Sequence, residues 1–138
     1  MVLEDVGESA LDYAQKRSGV TYVEVKVEKQ VGNSVLIKNG MVDALVYGED
    51  EGLCVRILTK EGIGFGSTNV LNKDSVRDVV DQVFRMARSS KRKTPIVFAE
   101  EKGVEEKWTV DEKEKLTDIS TEQRVNELIE IDKHLLSL

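Results

Sequence analysis

Apolar and polar positions alternate along this chain with a period that changes from segment to segment, and each change predicts an element. Between Leu3 and Arg17, Leu3, Val6, Ala10, Tyr13 and Ala14 recur at spacings of three and four, which makes one stripe of a helix. Glu4 and Asp5 sit near its positive end, and Gly19 is placed to stop it. From Thr21 the period becomes two. Val23, Val25 and Val27 alternate with Glu24, Lys26 and Glu28, as expected of a strand with one dry and one wet face. Val35 and Ile37 continue the pattern up to Asn39-Gly40, a dipeptide suited to a two-residue hairpin turn. Met41 to Tyr47 reads as the returning strand. A turn is predicted over Gly48-Glu49-Asp50-Glu51-Gly52, then a strand over Leu53–Thr59, a turn at Lys60-Glu61-Gly62, and a last strand over Ile63–Ser67.

Helical spacing returns at Val76, Val79, Val80, Val83 and Ala87, with Asn72 as the cap and Pro95 as the stop. Residues 100–118 are mostly charged and read as an extended segment draped over the domain, with Trp108 as its anchor. A final helix begins at Ser120, where Gln123 completes capping-box spacing, and Val125, Leu128, Ile129, Leu135 and Leu136 form its apolar stripe. It runs out on leucines without a polar cap, which predicts further chain for it to pack against.

The pattern therefore predicts an α+β fold. A curved antiparallel sheet of four to five strands carries helices on one face, in the order α-β-β-β-β(-β)-α-extended segment-α. Residues 1–95 form the α+β domain, and residues 96–138 the charged segment and terminal helix.

Composition narrows the function classes. The 138 residues suit one domain with a real core, and 33% of them are charged. With 26 acidic against 20 basic residues the net charge is −6, which argues against direct nucleic-acid binding through overall charge. One cysteine, Cys54, and one histidine, His134, allow no intrachain disulfide, no Cys-based zinc site and no two-His metal motif. There is no run of 18 apolar residues and no basic, apolar leader, so neither a membrane span nor a secretory signal is expected, and the expected compartment is the cytoplasm.

The candidate chemistry is sparse. Gly62-Ile63-Gly64-Phe65-Gly66 lacks the third spacing of a dinucleotide loop, and no Lys-Ser or Lys-Thr follows it. Its glycines read instead as a turn and a place where another element crosses the sheet closely. Lys91-Arg92-Lys93 reads as cations offsetting the negative end of a helix. Cys54 reads as a small buried hydrophobe, and His134 as a residue serving the dipole or solvent. Arg56 shares strand parity with Cys54 and Leu58, so its guanidinium calls for a carboxylate or carbonyl partner, most simply in a structural ion pair.

Three segments in order carry a family resemblance. Gly19-Val20-Thr21-Tyr22-Val23-Glu24-Val25 is similar to the opening strand of the TldD/PmbA family. Glu51-Gly52-Leu53-Cys54-Val55-Arg56-Ile57-Leu58 resembles its Gly-Val-Arg strand, and Ile63-Gly64-Phe65-Gly66-Ser67-Thr68-Asn69 its Gly-Phe-Ala-Ser-Thr-Asn element. The resemblance covers about residues 1–90, and Thr68-Asn69 is more similar to the TldD than to the PmbA branch. Gly62 falls one position later than the family pattern.

The resemblance implies a cytosolic zinc metallopeptidase system, often of two subunits, associated with peptide-antibiotic maturation, antitoxin breakdown and modulation of DNA gyrase. The family's His-Glu-x-x-x-His helix has no counterpart here, so no catalytic, cofactor-binding or metal residue is carried over. Gly52, Arg56, Gly64 and Phe65 are marked only as family-motif or structural positions. The implied function is that of a non-catalytic N-terminal domain leading to a C-terminal metallopeptidase domain. It would help form a substrate cavity and contact a TldD/PmbA-type subunit in a homo- or hetero-oligomer, with a peptide as substrate. The alternative is a truncated family member that binds peptide or protein without enzymatic activity. Zinc is implied for the full-length family, and no cofactor for this chain.

Overall fold

The computed structural model describes residues 3–138. Their element order is α1 (Leu3–Gln15), β1 (Val20–Lys38), β2 (Met41–Thr59), β3 (Ile63–Thr68), α2 (Lys73–Ser89), a 3-10 turn (Leu116–Asp118) and α3 (Thr121–Leu136). The three strands form one antiparallel sheet in the order β1-β2-β3. The class is the expected α+β, but the expected four to five strands are three. The turn expected over Gly48–Gly52 is absent, because β2 runs through it, and β1 is unbroken from Val20 to Lys38. Glycines and acidic residues favour a turn only when nothing else satisfies their backbone. Here each strand lies beside a neighbour, and ladder pairing outweighs local preference.

The Asn39-Gly40 turn forms as expected, with φ of 52° and 76° at its two residues. The next turn closes with the Thr59 amide donating to the Gly62 carbonyl over 2.9 Å. β3 then pairs with β2 in a fixed register: Val55 faces Gly66, Arg56 faces Phe65, and Ile57 faces Gly64.

The described residues divide into two compact units. One comprises residues up to Gln30 together with Glu49–Glu100; the other comprises Val31–Gly48 and Glu101–Leu138. In the first unit, alternate residues of β2 (Leu53, Val55 and Ile57) meet Val6, Ala10 and Ala14 of α1 and five buried residues of α2, from Val76 to Ala87. Val23, Val25 and Val27 of β1 pack against this core from its margin. Both helices thus cover the same sheet face. Gly64 permits the close approach of α2, since a Cβ there would run into the Val83 carbonyl and lie 3.0 Å from the Ala87 nitrogen. The glycine-rich stretch is therefore a crossing point for α2.

Capping defines the start of α2, where the Asn72 side chain accepts from the amides of Asp74 and Ser75 at 3.1 and 2.8 Å. Its end departs from expectation. The helix stops at Ser89, six positions before Pro95, and Lys91 takes the left-handed backbone with φ 41°.

In the second unit, Ser120 caps α3 by accepting from the Gln123 amide at 3.1 Å, while the Gln123 side chain donates to Glu127 rather than closing a capping box. Arg124 of α3 donates to the Asn33 side chain, and the Gly40 amide donates to Asp132, so α3 is tied to the β1–β2 hairpin at two places. Val125, Ile129 and Asp132 are the half-buried stripe of α3; Val35, Ile37 and Ala44 are half-buried on the hairpin. Leu135 and Leu136 are exposed. Trp108 is 79% exposed, so the expected anchoring of residues 100–118 is not found; Val104, Val110 and Leu116 of the same mostly charged segment are exposed as well. Among the described residues no helix is long and apolar enough to cross a membrane.

Candidate functional site

With α1 and α2 on one face of the sheet, the polar positions of β1, β2 and β3 in the first unit share the other. Glu24 accepts from Arg56 at 2.8 Å, the partner that the parity of Arg56 called for. The Arg56 guanidinium also lies 5.9 Å from the ring centroid of Phe65, its register partner on β3. Both members of the ion pair are well exposed, so the bond orders side chains on the sheet surface and contributes little to stability. Tyr22 meets Phe98 edge-to-face at 4.9 Å.

Beside this cluster a cleft of about 460 Å³ opens across all three strands. Gly52, Cys54 and Ser67 are among its small lining residues, and Lys26, Glu28, Gln30, Asp50, Glu51, Thr68 and Asn69 surround them. Lys26 and Glu28 are ion-paired. Their mutual hydrogen bond and charge hold the Glu28 carboxyl below, and the Lys26 ammonium above, its ordinary value. Both therefore stay charged around neutrality. The cleft presents one small thiol, small polar side chains and a mixed but mainly acidic rim, a surface suited to polar contact.

Of the positions singled out in the sequence, the structure brings Arg56 and Phe65 together on the open face and places Gly52 in the cleft lining. Gly64 lies on the opposite face beneath α2. The sequence marks Lys26 and Glu28 only as wet-face positions of β1, and the cleft they line is visible only in the fold. The donor set does not fit a zinc centre. Among the described residues no three His, Cys, Asp or Glu side chains could hold a metal, and His134 stands on the exposed last turn of α3.

Comparisons with known proteins agree with this architecture. The chain is 22% identical over 116 residues to a metalloprotease of Methanocaldococcus jannaschii, an alignment covering 83% of this chain and 26% of that protein. Its fold is similar to the crystal structure of a proposed modulator of a DNA gyrase from Thermotoga maritima MSB8. The TM-score is 0.63 at 18% identity, over 91% of this chain and 27% of the other. The chain thus spans about a quarter of the length of each of these relatives. Residues 23–87, from the wet-and-dry strand β1 to the last turns of α2, match the family model of PmbA/TldA metallopeptidase domain 1. Over these residues the chain is similar to the first domain of the PmbA/TldD metallopeptidase family.

Proposed function

We propose that this chain acts as the non-catalytic first domain of a TldD-like zinc metallopeptidase, with the helix-free sheet face forming part of the wall along which a peptide substrate lies and with a further surface contacting a second subunit. The observation that carries the reading is the match of residues 23–87 to the first domain of a metallopeptidase family. The cleft across β1, β2 and β3 supports the peptide-facing role, because its small lining residues leave room for an extended backbone to approach. Peptide-bond hydrolysis is assigned to residues outside this chain.

A second reading, a peptide-binding module without enzymatic activity, draws on the same cleft. Two measurements on the purified chain test the proposal. Incubated with Zn²⁺ and an end-blocked, unstructured synthetic peptide, the chain should leave the peptide intact; chelator-sensitive cleavage would overturn the non-catalytic role. Hydrogen exchange with the same peptide in excess should slow amides around residues 24–30, 50–54 or 63–69. No protection in any strand between residues 21 and 68 would overturn the substrate-wall role.

A further inference from the structure

At one end, the helix-free sheet face of the first unit is covered by the chain itself. Cys54, Arg56 and Leu58 share the parity of β2 that faces away from α1 and α2. Leu58 is nevertheless only 5% exposed, and it lies outside the core between the sheet and those helices. β1 and β2 run antiparallel and Glu24 meets Arg56, so Tyr22 comes beside Leu58. The Thr21 hydroxyl donates to the Leu58 carbonyl over 3.1 Å at the same place. Phe98 stands edge-on to the Tyr22 ring there, at 4.9 Å. It belongs to residues 94–99, an uncharged run between Lys93 and Glu100. Ile96 is half-buried, Val97 84% exposed and Phe98 41%, the alternation of an extended chain laid on a surface. Upstream, the Arg92 amide ties the run to the Glu61 carbonyl at 2.9 Å. Among the described residues, none from 93 to 99 makes a backbone hydrogen bond, and Pro95 has no amide to offer. Side chains alone hold this run to the sheet.

We propose that Phe98 fills a subsite for a bulky apolar side chain, aromatic above all, and that residues 94–99 are a built-in occupant which a bound peptide displaces. The inference rests on the peptide-facing role proposed above and adds to it the class of side chain recognised. The walls of the subsite are Tyr22 and Leu58, an aromatic ring and an aliphatic floor, which suit a ring and offer a charged side chain no partner. Phe65, 51% exposed beside Arg56 on the same face, continues the apolar path toward the cleft. The segment now in place is extended and free of backbone pairing, so exchanging it for another extended chain breaks no backbone hydrogen bond. Spacing follows from strand geometry. An extended chain rises about 3.3 Å per residue, so about four residues carry a peptide from Cys54 in the cleft to Leu58. The preferred ligand is therefore a peptide with polar residues over the cleft and a bulky apolar one about four positions away.

The chain's own segment is the first probe, because its binding does not depend on any substrate. Phe98→Ala should empty the subsite. An acetylated, amidated copy of residues 94–99, titrated into that variant, should shift the Tyr22 ring resonances in NMR spectra. The parent should bind the copy at least about tenfold more weakly, since its site is already filled. A copy carrying Phe98→Ser should lose affinity for the variant by a similar factor. The second measurement uses the parent chain, so it holds even where Phe98→Ala fails to fold. Excess of an end-blocked, unstructured peptide bearing one phenylalanine should move the Phe98 ring resonances to random-coil positions as the ring leaves Tyr22. The same peptide with serine in place of its phenylalanine should not. Equal affinity of the copy for parent and variant, or affinity indifferent to Phe98→Ser in the copy, overturns the proposal. Strand protection by the phenylalanine peptide with Phe98 unmoved overturns the subsite and leaves the substrate wall standing, whereas protection nowhere overturns the wall itself.

Discussion

The two units of this molecule are built from the same pair of long strands yet reach order in different ways. Where β1 and β2 run beside α1 and α2, alternate residues disappear from solvent altogether: Val55, Ile57, Val80 and Val83 are each 0% exposed. Where the same strands continue to the Asn39-Gly40 turn, no described residue is buried, and α3 is joined to the hairpin through Asp132, Arg124 and a half-buried stripe. The difference lies in what each helix brings. α2 supplies five buried side chains and meets a glycine that lets its backbone close on the sheet, whereas α3 leaves Ile131, Leu135 and Leu136 exposed. Apolar burial scales with area removed from water, so the first unit holds most of the hydrophobic stabilisation, and the second relies on caps and side-chain hydrogen bonds.

The largest effects should therefore come from the first unit. Ile57→Ala removes a fully buried side chain between α1, β2 and α2 and should destabilise by about 2–5 kcal/mol. Val46→Ala, at a position 58% exposed, should change unfolding by less than about 0.5 kcal/mol. Urea unfolding of the two variants measures the contrast, and equal costs would abolish it. Gly64→Ala should also be severe, at about 1–3 kcal/mol, because its Cβ meets the backbone of Val83 and Ala87, which cannot rotate away as a side chain would.

The same contrast explains which parts of the fold are legible in the sequence. The first unit is legible because its signals are redundant: the Val23-Val25-Val27 alternation, the Asn72 cap and the α2 stripe all agree, and each is structural. The parity of Arg56 likewise calls for the carboxylate that Glu24 provides. The long hairpin is not legible as two unbroken strands, because Gly48–Gly52 has turn composition and only pairing with a neighbour overrides it. Trp108 misleads for the opposite reason: a large aromatic predicts burial only where apolar surface lies within reach. The cleft lining is visible as a wet strand face but not as a cleft, since its shape depends on β3 arriving beside Gly52 and Cys54.

A smaller effect should separate the units by location. Asp132→Ala removes the acceptor of the Gly40 amide and should cost about 0.5–1.5 kcal/mol. Amide exchange should quicken around residues 34–44 and in α3, while Leu53–Leu58 keeps its protection. Equal acceleration in both places would mean that the two units open together, and the comparison would then describe burial but not cooperativity.

The smallest expected effect is acid dependence, and it belongs to the first unit. Glu61, in the turn between β2 and β3, has its carboxyl held below the ordinary value. Its own backbone amide is the main cause, followed by the Thr59 hydroxyl and, more weakly, the charges of Arg88 and Lys60. A carboxyl depressed in the folded state binds its proton more readily once unfolded. Its contribution is therefore complete above the unfolded value and is lost as pH falls through the folded one. Because the group is exposed, the effect should be a shallow loss of thermal stability as pH falls below the ordinary carboxylate range and should not amount to acid unfolding. Glu61→Gln should flatten that slope and leave stability near neutrality almost unchanged. The change should register in amides beside the turn and not in α3, since Arg92 donates its amide to the Glu61 carbonyl and ties the chain after α2 to this turn. A Glu61→Gln variant with the parent's acid slope would place the titrating groups elsewhere. The Lys26–Glu28 pair, whose Glu28 carboxyl is depressed in the same direction, would then be the next to neutralise.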